Sequence, residues 1–256
     1  MMKPELEKID SYPFYVEPFH VDFTGRMFLG ILGNHLLNAA GNHSQRRGWG
    51  IGALNETKHT WVLSRLSIEL TDMPRQYEHG TVETWVESVI RLFTNRNFAI
   101  LRADGTPYGY ARSIWAMIDI ETRRPCDLLS LYDGDILNYV VDEAEKPCPI
   151  DPHGRFRFRD AKLVRTIDTH YSDIDINGHI NSIKYIEHIL NLFPIECFRD
   201  QRLQRFEIAY KTESRLGDRL AFYTQVVDDN ETDVEVRREA DGEVVCQAKV
   251  RFVDNI

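Results

Sequence analysis

The sequence has few of the features that mark secreted or metal-binding proteins. Its 256 residues include only four cysteines, Cys126, Cys148, Cys197 and Cys246, and none of them forms a C-x-x-C pair. In a cytosolic chain such cysteines are expected to be free thiols. The nine histidines include no H-E-x-x-H or comparable arrangement. We therefore expect neither a metal nor any other cofactor.

Long apolar runs are also missing. No window approaches the roughly 18 uncharged apolar residues that a membrane-spanning helix needs. The first residues, MMKPELEKIDSYPF, lack the apolar stretch of a signal peptide. We expect a cytoplasmic protein without a membrane span. Hydrophobic residues make up 43% of the chain, which is enough for a sizeable globular core.

Positive charge is in deficit, with 31 Lys and Arg against 40 Asp and Glu, for a net charge of −9. This balance argues against nucleic acid as the main partner. An acidic partner would be repelled by the overall field, so docking it would require a local basic patch. Three clusters are candidates for such a patch, with ordinary solvated surface as the alternative: Arg46 with Arg47, Arg123 with Arg124, and Arg155, Arg157, Arg159 with Lys162.

The chain contains an internal repeat. A shift of 137 positions superposes Ala103-Asp104-Gly105 on Ala240-Asp241-Gly242, Gly80 on Gly217, and Trp115 on Phe252. The segments around these positions alternate apolar and polar residues, and Asp-Gly between two such runs predicts a β-hairpin. Each half also contains an apolar pattern of helical spacing, at 29–43 and again after His179. The first half has an extra glycine-containing segment, 45–59.

Each half therefore predicts a strand, an apolar helix and several antiparallel strands. A single unit of this kind would leave sheet edges exposed, whereas two units in one chain can cover each other. The segment 142–154 contains three prolines and several charges without periodicity. This composition predicts an exposed linker between domains at 1–141 and 155–256.

The most informative segment is 171–190, YSDIDINGHINSIKYIEHIL. Asp175, Asn177 and His179 occupy alternate positions, which places their side chains on one side of an extended segment. A helical apolar pattern begins immediately afterwards. Backbone N–H groups at a helix start are unpaired and the dipole is positive there. We expect such a place to hold a polarised carbonyl.

This segment resembles the D-x-N-x-H-x-N-N-x-x-Y signature of plant and bacterial acyl-acyl-carrier-protein (acyl-ACP) thioesterases. The matching positions are Asp175, Asn177, His179, Asn181 and Tyr185, while Ser182 replaces a second Asn. A second stretch, FEIAYKTESRLGD at 206–218, resembles the family's E-Y-R-R-E-C-G-R-D. Glu213 falls on its Glu, and Ser214 stands where many members have Cys. Segments 61–88 and 111–125 resemble the family's first domain, so the resemblance spans nearly the whole chain.

The resemblance implies an α+β double (tandem) hotdog fold, in which each half wraps a curved antiparallel sheet around a long helix. It also implies that residues 1–141 form a non-catalytic copy that shapes the acyl pocket, and that residues 155–256 form the catalytic copy. Gln76 stands opposite Glu213 at the shift of 137, so the first copy lacks the carboxylate. Candidates for the pocket lining, each with plain core packing as the alternative, are Phe28, Leu32, Leu36, Trp49 and Trp61.

The resemblance also suggests roles for the site residues. Glu213 would activate water or attack the thioester directly, since Ser214 leaves a papain-like scheme without its thiol. Asn177 would donate to the thioester carbonyl or the water, His179 would share proton handling, and Asp175 would orient them. Asp175 and Asn177 also suit a turn or a helix cap, and Asn181 suits the helix start.

The function that follows is hydrolysis of fatty acyl-ACP to a free fatty acid, which ends elongation. The expected partner is an acyl carrier protein carrying a fatty acyl chain, and two tandem chains could pair as a homodimer. An acyl-CoA thioesterase shares the chemistry and differs only in the carrier. A hotdog dehydratase or hydratase would act on a 3-hydroxyacyl group without releasing thiol, and a non-catalytic sensor would retain its acyl-ACP.

Overall fold

A computed structural model describes residues 6–255, which form an α+β structure around one ten-stranded sheet. The first half contributes the strands β1 (Asp10–Tyr15), β2 (His59–Leu70), β3 (His79–Ile90), β4 (Phe93–Arg102) and β5 (Pro107–Asp119). The second half contributes β6 (Lys162–Asp168), β7 (Gln201–Tyr210), β8 (Arg219–Val226), β9 (Glu231–Arg238) and β10 (Val244–Asp254). The helices are α1 (Leu29–Arg46), α2 (Ile51–Glu56), α3 (Ser182–Leu190) and α4 (Ile195–Asp200). Short 3₁₀ turns lie at Pro18–His20, Leu128–Ser130, Tyr132–Tyr139 and Tyr171–Asp173.

The sheet shows the duplication directly. Its strand order is β1-β3-β4-β5-β2-β7-β10-β9-β8-β6, so the second half repeats the first in mirror order about a central junction. At that junction β2 pairs antiparallel with β7, from Arg65 opposite Ala209 to Glu69 opposite Arg205. Pairing the two central strands covers one edge of each half-sheet. The predicted double hotdog is confirmed.

The two apolar helices, α1 and α3, pack against each other and against the sheet. Leu32 and Leu36 of α1 are fully buried in the main core with Ile186 and Ile189 of α3. Gly33 lies at this contact, where a Cβ would come within 2.7 Å of Ile183 Cδ1 and the isoleucine side chain would have to shift. None of the helices between residues 6 and 255 is both long and apolar enough to cross a membrane.

The connection between the halves differs from the predicted exposed linker. Residues 142–145 are exposed, but Cys148 and Ile150 are buried. Arg205 of β7 donates to the carbonyls of Asp151 and Pro152 at 3.0 and 3.2 Å. The prediction fails for this second part because backbone groups of 151–154 bond to Arg205 and Glu207 of the sheet and two apolar side chains are buried. The division into domains at 1–141 and 155–256 stays a prediction.

The repeat has three registers, because the halves differ in length at two places. Asp22 and Asp175 open matching turns 153 positions apart, as shown by the bridges Val21–Met27 and Ile174–Ile180. Farther along, Arg75 and Arg215 are 140 positions apart and make the same hydrogen bond. In the last hairpins the shift is the predicted 137, since Gly105 and Gly242 both have φ near +80°. The first half therefore has extra residues around α1 and α2, and again in the β3–β4 hairpin.

These registers correct the sequence-based pairing of Gln76 with Glu213. Met27 N donates to Pro74 O at 2.8 Å, as Ile180 N donates to Ser214 O at 2.8 Å. Pro74 is thus the counterpart of Ser214, and Met73 is the counterpart of Glu213. A shift of 137 misplaces this loop by three residues, because it applies only beyond the longer β3–β4 hairpin. The conclusion that the first half lacks the carboxylate is unchanged.

Candidate active site

Asp175, Asn177 and His179 lie in a tight turn rather than the predicted extended segment. Asp175 N donates to His179 O at 2.8 Å, and Gly178 N donates to Asp175 O at 3.0 Å. One carboxylate oxygen of Asp175 accepts the backbone N–H groups of Asn177 and His179 at 2.8 and 3.2 Å. Gly178 has φ +77°, a conformation that glycine adopts without steric cost. Asp175 therefore shapes the turn that presents the other two side chains.

The turn is held against the loop that contains Glu213. Ile180 N donates to Ser214 O, and His179 bridges to Arg215. Thr169 Oγ1 braces the same loop by donating to Asp218 O and accepting from Gly217 N, both at 2.9 Å. As a result His179 Nε2 lies 3.2 Å from Glu213 Oε2. The structure thus brings together the imidazole and the carboxylate that the sequence placed 34 positions apart.

The first half supplies a third side chain, Arg123, whose guanidinium contacts Glu213 Oε1. Arg123 lies in the turn after β5 with φ +59°, and Asp119 O accepts its backbone N–H at 2.9 Å. From the sequence, Arg123 is only part of a candidate docking patch. No local motif marks it, because its partner is 90 positions away and reached only through the β2–β7 junction. Glu213 therefore contacts His179 and Arg123 through different oxygens.

Backbone N–H groups do not form the predicted carbonyl site at the helix start. Asn181 caps α3 by accepting from Ile183 N at 2.9 Å, which confirms its expected role at the helix start. The N–H groups of Asn177, Gly178 and His179 donate within the turn. The side-chain amide of Asn177 makes only a long 3.5 Å contact to Asp175 Oδ2. That exposed amide is the donor best placed to meet a carbonyl.

Asn177 also lines a cavity of about 410 Å³ beside the end of α1, which we call the α1 cavity. Its walls include Leu37 and Ala40 of α1 and three tryptophans. The tryptophans are Trp49, Trp61 and Trp115. Trp61 Nε1 donates to Trp49 O at 2.9 Å, which leaves the rings to face the cavity. A pocket that combines aromatic and aliphatic walls with several polar side chains is typical of a small-molecule site.

The five predicted lining residues fall in three places. Trp49 and Trp61 line the α1 cavity. Leu32 and Leu36 are fully buried core residues of α1 and line neither large cavity described here. Phe28 is half-exposed and lines a different cavity, of about 590 Å³, beside the end of α3. We call this second space the α3 cavity.

Polar side chains that sequence reasoning missed form part of the wall of the α1 cavity. Arg47, placed in a candidate surface patch, is buried and binds Asp10 in a bidentate ion pair at 2.8 and 3.1 Å. His43 Nδ1 lies 3.3 Å from Arg96 Nη2, and its Nε2 lies 3.1 Å from Lys8 O. Burial, with the neighbouring Arg96 charge, lowers the pKa of His43 to about 3. This imidazole is therefore neutral at physiological pH.

Ser214 is fully buried, and its hydroxyl has no hydrogen-bond partner among the described residues. Ser214 contributes to the site through its main chain, because its carbonyl oxygen accepts a hydrogen bond from Ile180 N and holds the two loops together. All four cysteines are unpaired. No group of three His, Cys, Asp or Glu side chains suited to a metal ion occurs in the 6–255 range.

The sequence matches two family models. The model for the acyl-ACP thioesterase N-terminal domain matches residues 10–132, and the model for the C-terminal domain matches residues 158–254. The palmitoyl-acyl carrier protein thioesterase of Gossypium hirsutum is 25% identical over 255 residues, covering 95% of this chain and 60% of that protein. The oleoyl-acyl carrier protein thioesterase of Coriandrum sativum is 26% identical over 242 residues, covering 86% and 63%. The chain thus spans about three fifths of the length of these curated relatives, both of which are described as chloroplastic.

Solved structures show the same likeness. The crystal structure of an acyl-ACP thioesterase from Bacteroides thetaiotaomicron is 55% identical, with a TM-score of 0.90 over 96% of this chain and 98% of that one. The 12:0-ACP thioesterase from Umbellularia californica is 19% identical, with a TM-score of 0.85 over 99% and 100%. At 19% identity the likeness to the Umbellularia californica structure shows only that the two chains share a fold.

Proposed function

This chain belongs to the acyl-ACP thioesterase family, and from that premise we propose that it hydrolyses the thioester of a fatty acyl-ACP and releases the free fatty acid. The observation that supports this function most directly is the contact between Glu213 and His179 beside a cavity that Asn177 and three tryptophans line. A carboxylate, an imidazole and an amide donor close to a pocket with aromatic walls are the groups that thioester hydrolysis needs.

In the proposed reaction Glu213 removes a proton from water, and the water oxygen adds to the thioester carbonyl carbon. The Asn177 amide donates to the oxygen that becomes negative. Collapse of the intermediate breaks the C–S bond, and the proton passes through Glu213 or His179 to the departing thiolate. Direct attack by Glu213, followed by hydrolysis of the resulting anhydride, uses the same groups. Asp175 acts by holding the turn that carries Asn177 and His179.

The α1 cavity is the proposed acyl pocket. Its walls come mainly from the first half, whereas Asn177 comes from the second. This arrangement supports the view that the copy at 1–141 shapes the pocket and the copy at 155–256 performs the chemistry. The first copy also contributes Arg123 to the catalytic side, a role the sequence did not suggest. Arg123 positions the Glu213 carboxylate by contacting the oxygen that His179 does not.

An acyl carrier protein is the proposed carrier of the acyl chain. Arg123 contacts Glu213, and both Arg123 and its chain neighbour Arg124 are exposed, so an acidic partner would meet local positive charge near the site despite the net charge of −9. The exposed cluster Arg155, Arg157, Arg159 and Lys162 is a second candidate for this contact. A cytoplasmic location and a homodimer of two tandem chains remain further parts of the proposal.

A panel of acyl-ACP substrates of increasing chain length, with thiol release as the readout, tests the proposed function. We expect rapid thiol release for at least one chain length and slower release from the matching acyl-CoA. Equal rates of thiol release from both carriers would favour the alternative hypothesis of an acyl-CoA thioesterase. Loss of water from a 3-hydroxyacyl substrate without thiol release, or stable retention of unhydrolysed acyl-ACP, would refute the proposal.

A further inference from the structure

We propose that the α3 cavity is a second, non-hydrolytic site that binds a long-chain fatty acid by its carboxylate. The cavity has a volume of about 590 Å³, within the range of small-molecule sites, and lies between the Asp22–Arg26 turn and the end of α3. The choice of occupant rests on the proposed function, because hydrolysis would release such an acid beside this protein. The site itself follows from the internal duplication of the chain.

The α3 cavity is the counterpart of the α1 cavity in the other half of the chain. Leu37 and Asn38 line the α1 cavity, and Leu190 and Asn191, each 153 positions later, line the α3 cavity. Ala40 and Phe193 are related in the same way, and Trp61 corresponds to Gln201 at the shift of 140 that applies to β2 and β7. The duplication therefore produced two equivalent pockets, and of the two only the α1 cavity is lined by a residue of the catalytic turn, Asn177.

The turn at the α3 cavity keeps the geometry of the catalytic turn but has lost its chemistry. Asp22 Oδ1 accepts from the backbone N–H groups of Thr24 and Arg26 at 2.7 and 3.3 Å, matching the two bonds made by Asp175. In this repeat Thr24 occupies the position equivalent to Asn177. Arg26 is equivalent to His179, and Met73 is equivalent to Glu213. Met73 and Arg26 therefore supply neither the carboxylate nor the imidazole of the catalytic turn, and Arg26 places a fixed positive charge at this end of the cavity.

Two of the charged side chains that line the α3 cavity are available to bind an anion. Its three carboxylates are all engaged: Asp22 within its turn, Asp72 with Arg102 at 3.2 Å, and Glu187 with Lys184 at 2.7 Å. Its two guanidiniums, by contrast, bind only neutral acceptors within the described part of the chain. Arg26 donates to Phe198 O, Gln201 O and Asn255 Oδ1, and Arg202 donates to Leu70 O. Both retain N–H groups for a carboxylate, which guanidinium binds well.

The remaining wall of the α3 cavity suits an alkyl chain. It is formed by apolar side chains, among them Phe23, Phe28 and Ile195, which are about half exposed to solvent. Covering them with an acyl chain would remove this apolar surface from water, which is favourable. The combination of an apolar wall and two guanidiniums without acidic partners selects an amphipathic anion over a neutral lipid.

Methionine methyl NMR tests the proposal without turnover. Met27 and Met73 line the α3 cavity, whereas Met117 packs with Trp49, which lines the α1 cavity. When dodecanoate is titrated into protein carrying ¹³C-methyl methionine, the methyl signals of Met27 and Met73 should shift saturably. The Met117 signal should shift along a separate binding curve. Dodecanol should shift Met27 and Met73 only at higher concentration. Arg202→Gln should weaken binding at these two reporters about tenfold, because it removes a charge-assisted hydrogen bond.

The matched control is Arg199→Gln, which makes the same charge change on α4 at a residue outside the cavity and should leave the affinity unchanged. A response of Met117 alone would overturn the second site and leave the proposed hydrolysis standing. Saturable shifts of the Met27 and Met73 signals in a protein that hydrolyses no acyl-ACP would support the second site and refute the proposed hydrolysis. The proposal also fails if these shifts follow protein concentration, which would mark a contact between two copies, or if Arg202→Gln binds like the wild type.

Discussion

Replacing Glu213 with glutamine separates catalysis from stability. The Glu213 and Arg123 side chains are 38% and 44% exposed, and ion pairs this exposed contribute only about 0–1 kcal/mol to folding. Glutamine has nearly the same shape and retains an oxygen that can accept from Arg123. We therefore expect Glu213→Gln to change the free energy of unfolding by less than about 1 kcal/mol.

The effect on turnover should be much larger. An amide neither accepts a proton from water nor attacks a carbonyl, so the variant loses the base entirely. A positioned general base accelerates a reaction by about 10²–10⁴-fold. At about 1.4 kcal/mol for each factor of ten, the barrier should rise by roughly 3–5 kcal/mol. The loss should fall on kcat, because Glu213 is outside the residues that line the α1 cavity.

The assay is thiol release at saturating acyl-ACP, with urea unfolding of the same preparations. Ser214→Ala is the matched control at the adjacent position. Its hydroxyl is buried beside the Tyr185 hydroxyl without a close hydrogen bond, so removing it should leave both kcat and stability close to those of the wild type. The reasoning is refuted if Glu213→Gln keeps kcat within tenfold of the wild type, or if Ser214→Ala loses as much activity as Glu213→Gln.

Three further predictions follow from individual contacts. His179→Ala should lower kcat at least a hundredfold with little change in KM, since His179 contacts Glu213; a rise in KM alone would mean that it only binds substrate. Asn181→Ala should lower the free energy of unfolding by about 1 kcal/mol through loss of the α3 cap, measured by urea unfolding, whereas no loss would show that the cap is dispensable. Burial lowers the pKa of His43 to about 3, so the unfolded chain binds the extra proton below about pH 6.5 and stability should fall by up to about 1.4 kcal/mol per pH unit down to pH 3. His43→Gln should flatten that slope, and an unchanged slope would assign the acid sensitivity to other groups.

Local interactions made part of this site predictable. Asn181 was expected at the helix start, and the Asp-Gly turns at 104–105 and 241–242 were expected in hairpins; the structure has each of them. Such features depend on side chains that bond to backbone groups within a few residues, so their pattern is visible in a short stretch of sequence. The prediction for the 175–179 segment was wrong. Alternation of polar residues predicted an extended chain there, but the Asp175 side chain closes a turn.

By itself the sequence determined the duplicated α+β architecture, and its resemblance to the acyl-ACP thioesterase motifs singled out His179 and Glu213 as site residues. The duplication follows from periodicity and turn signals, which are visible in short stretches of sequence. Only the tertiary structure decided that Arg123 reaches Glu213, that Met73 is the counterpart of Glu213, and that a second cavity lies beside α3. The physical reason is that insertions around α1 and in the β3–β4 hairpin change the register of the repeat, and that contacts across the β2–β7 junction join positions far apart in the chain.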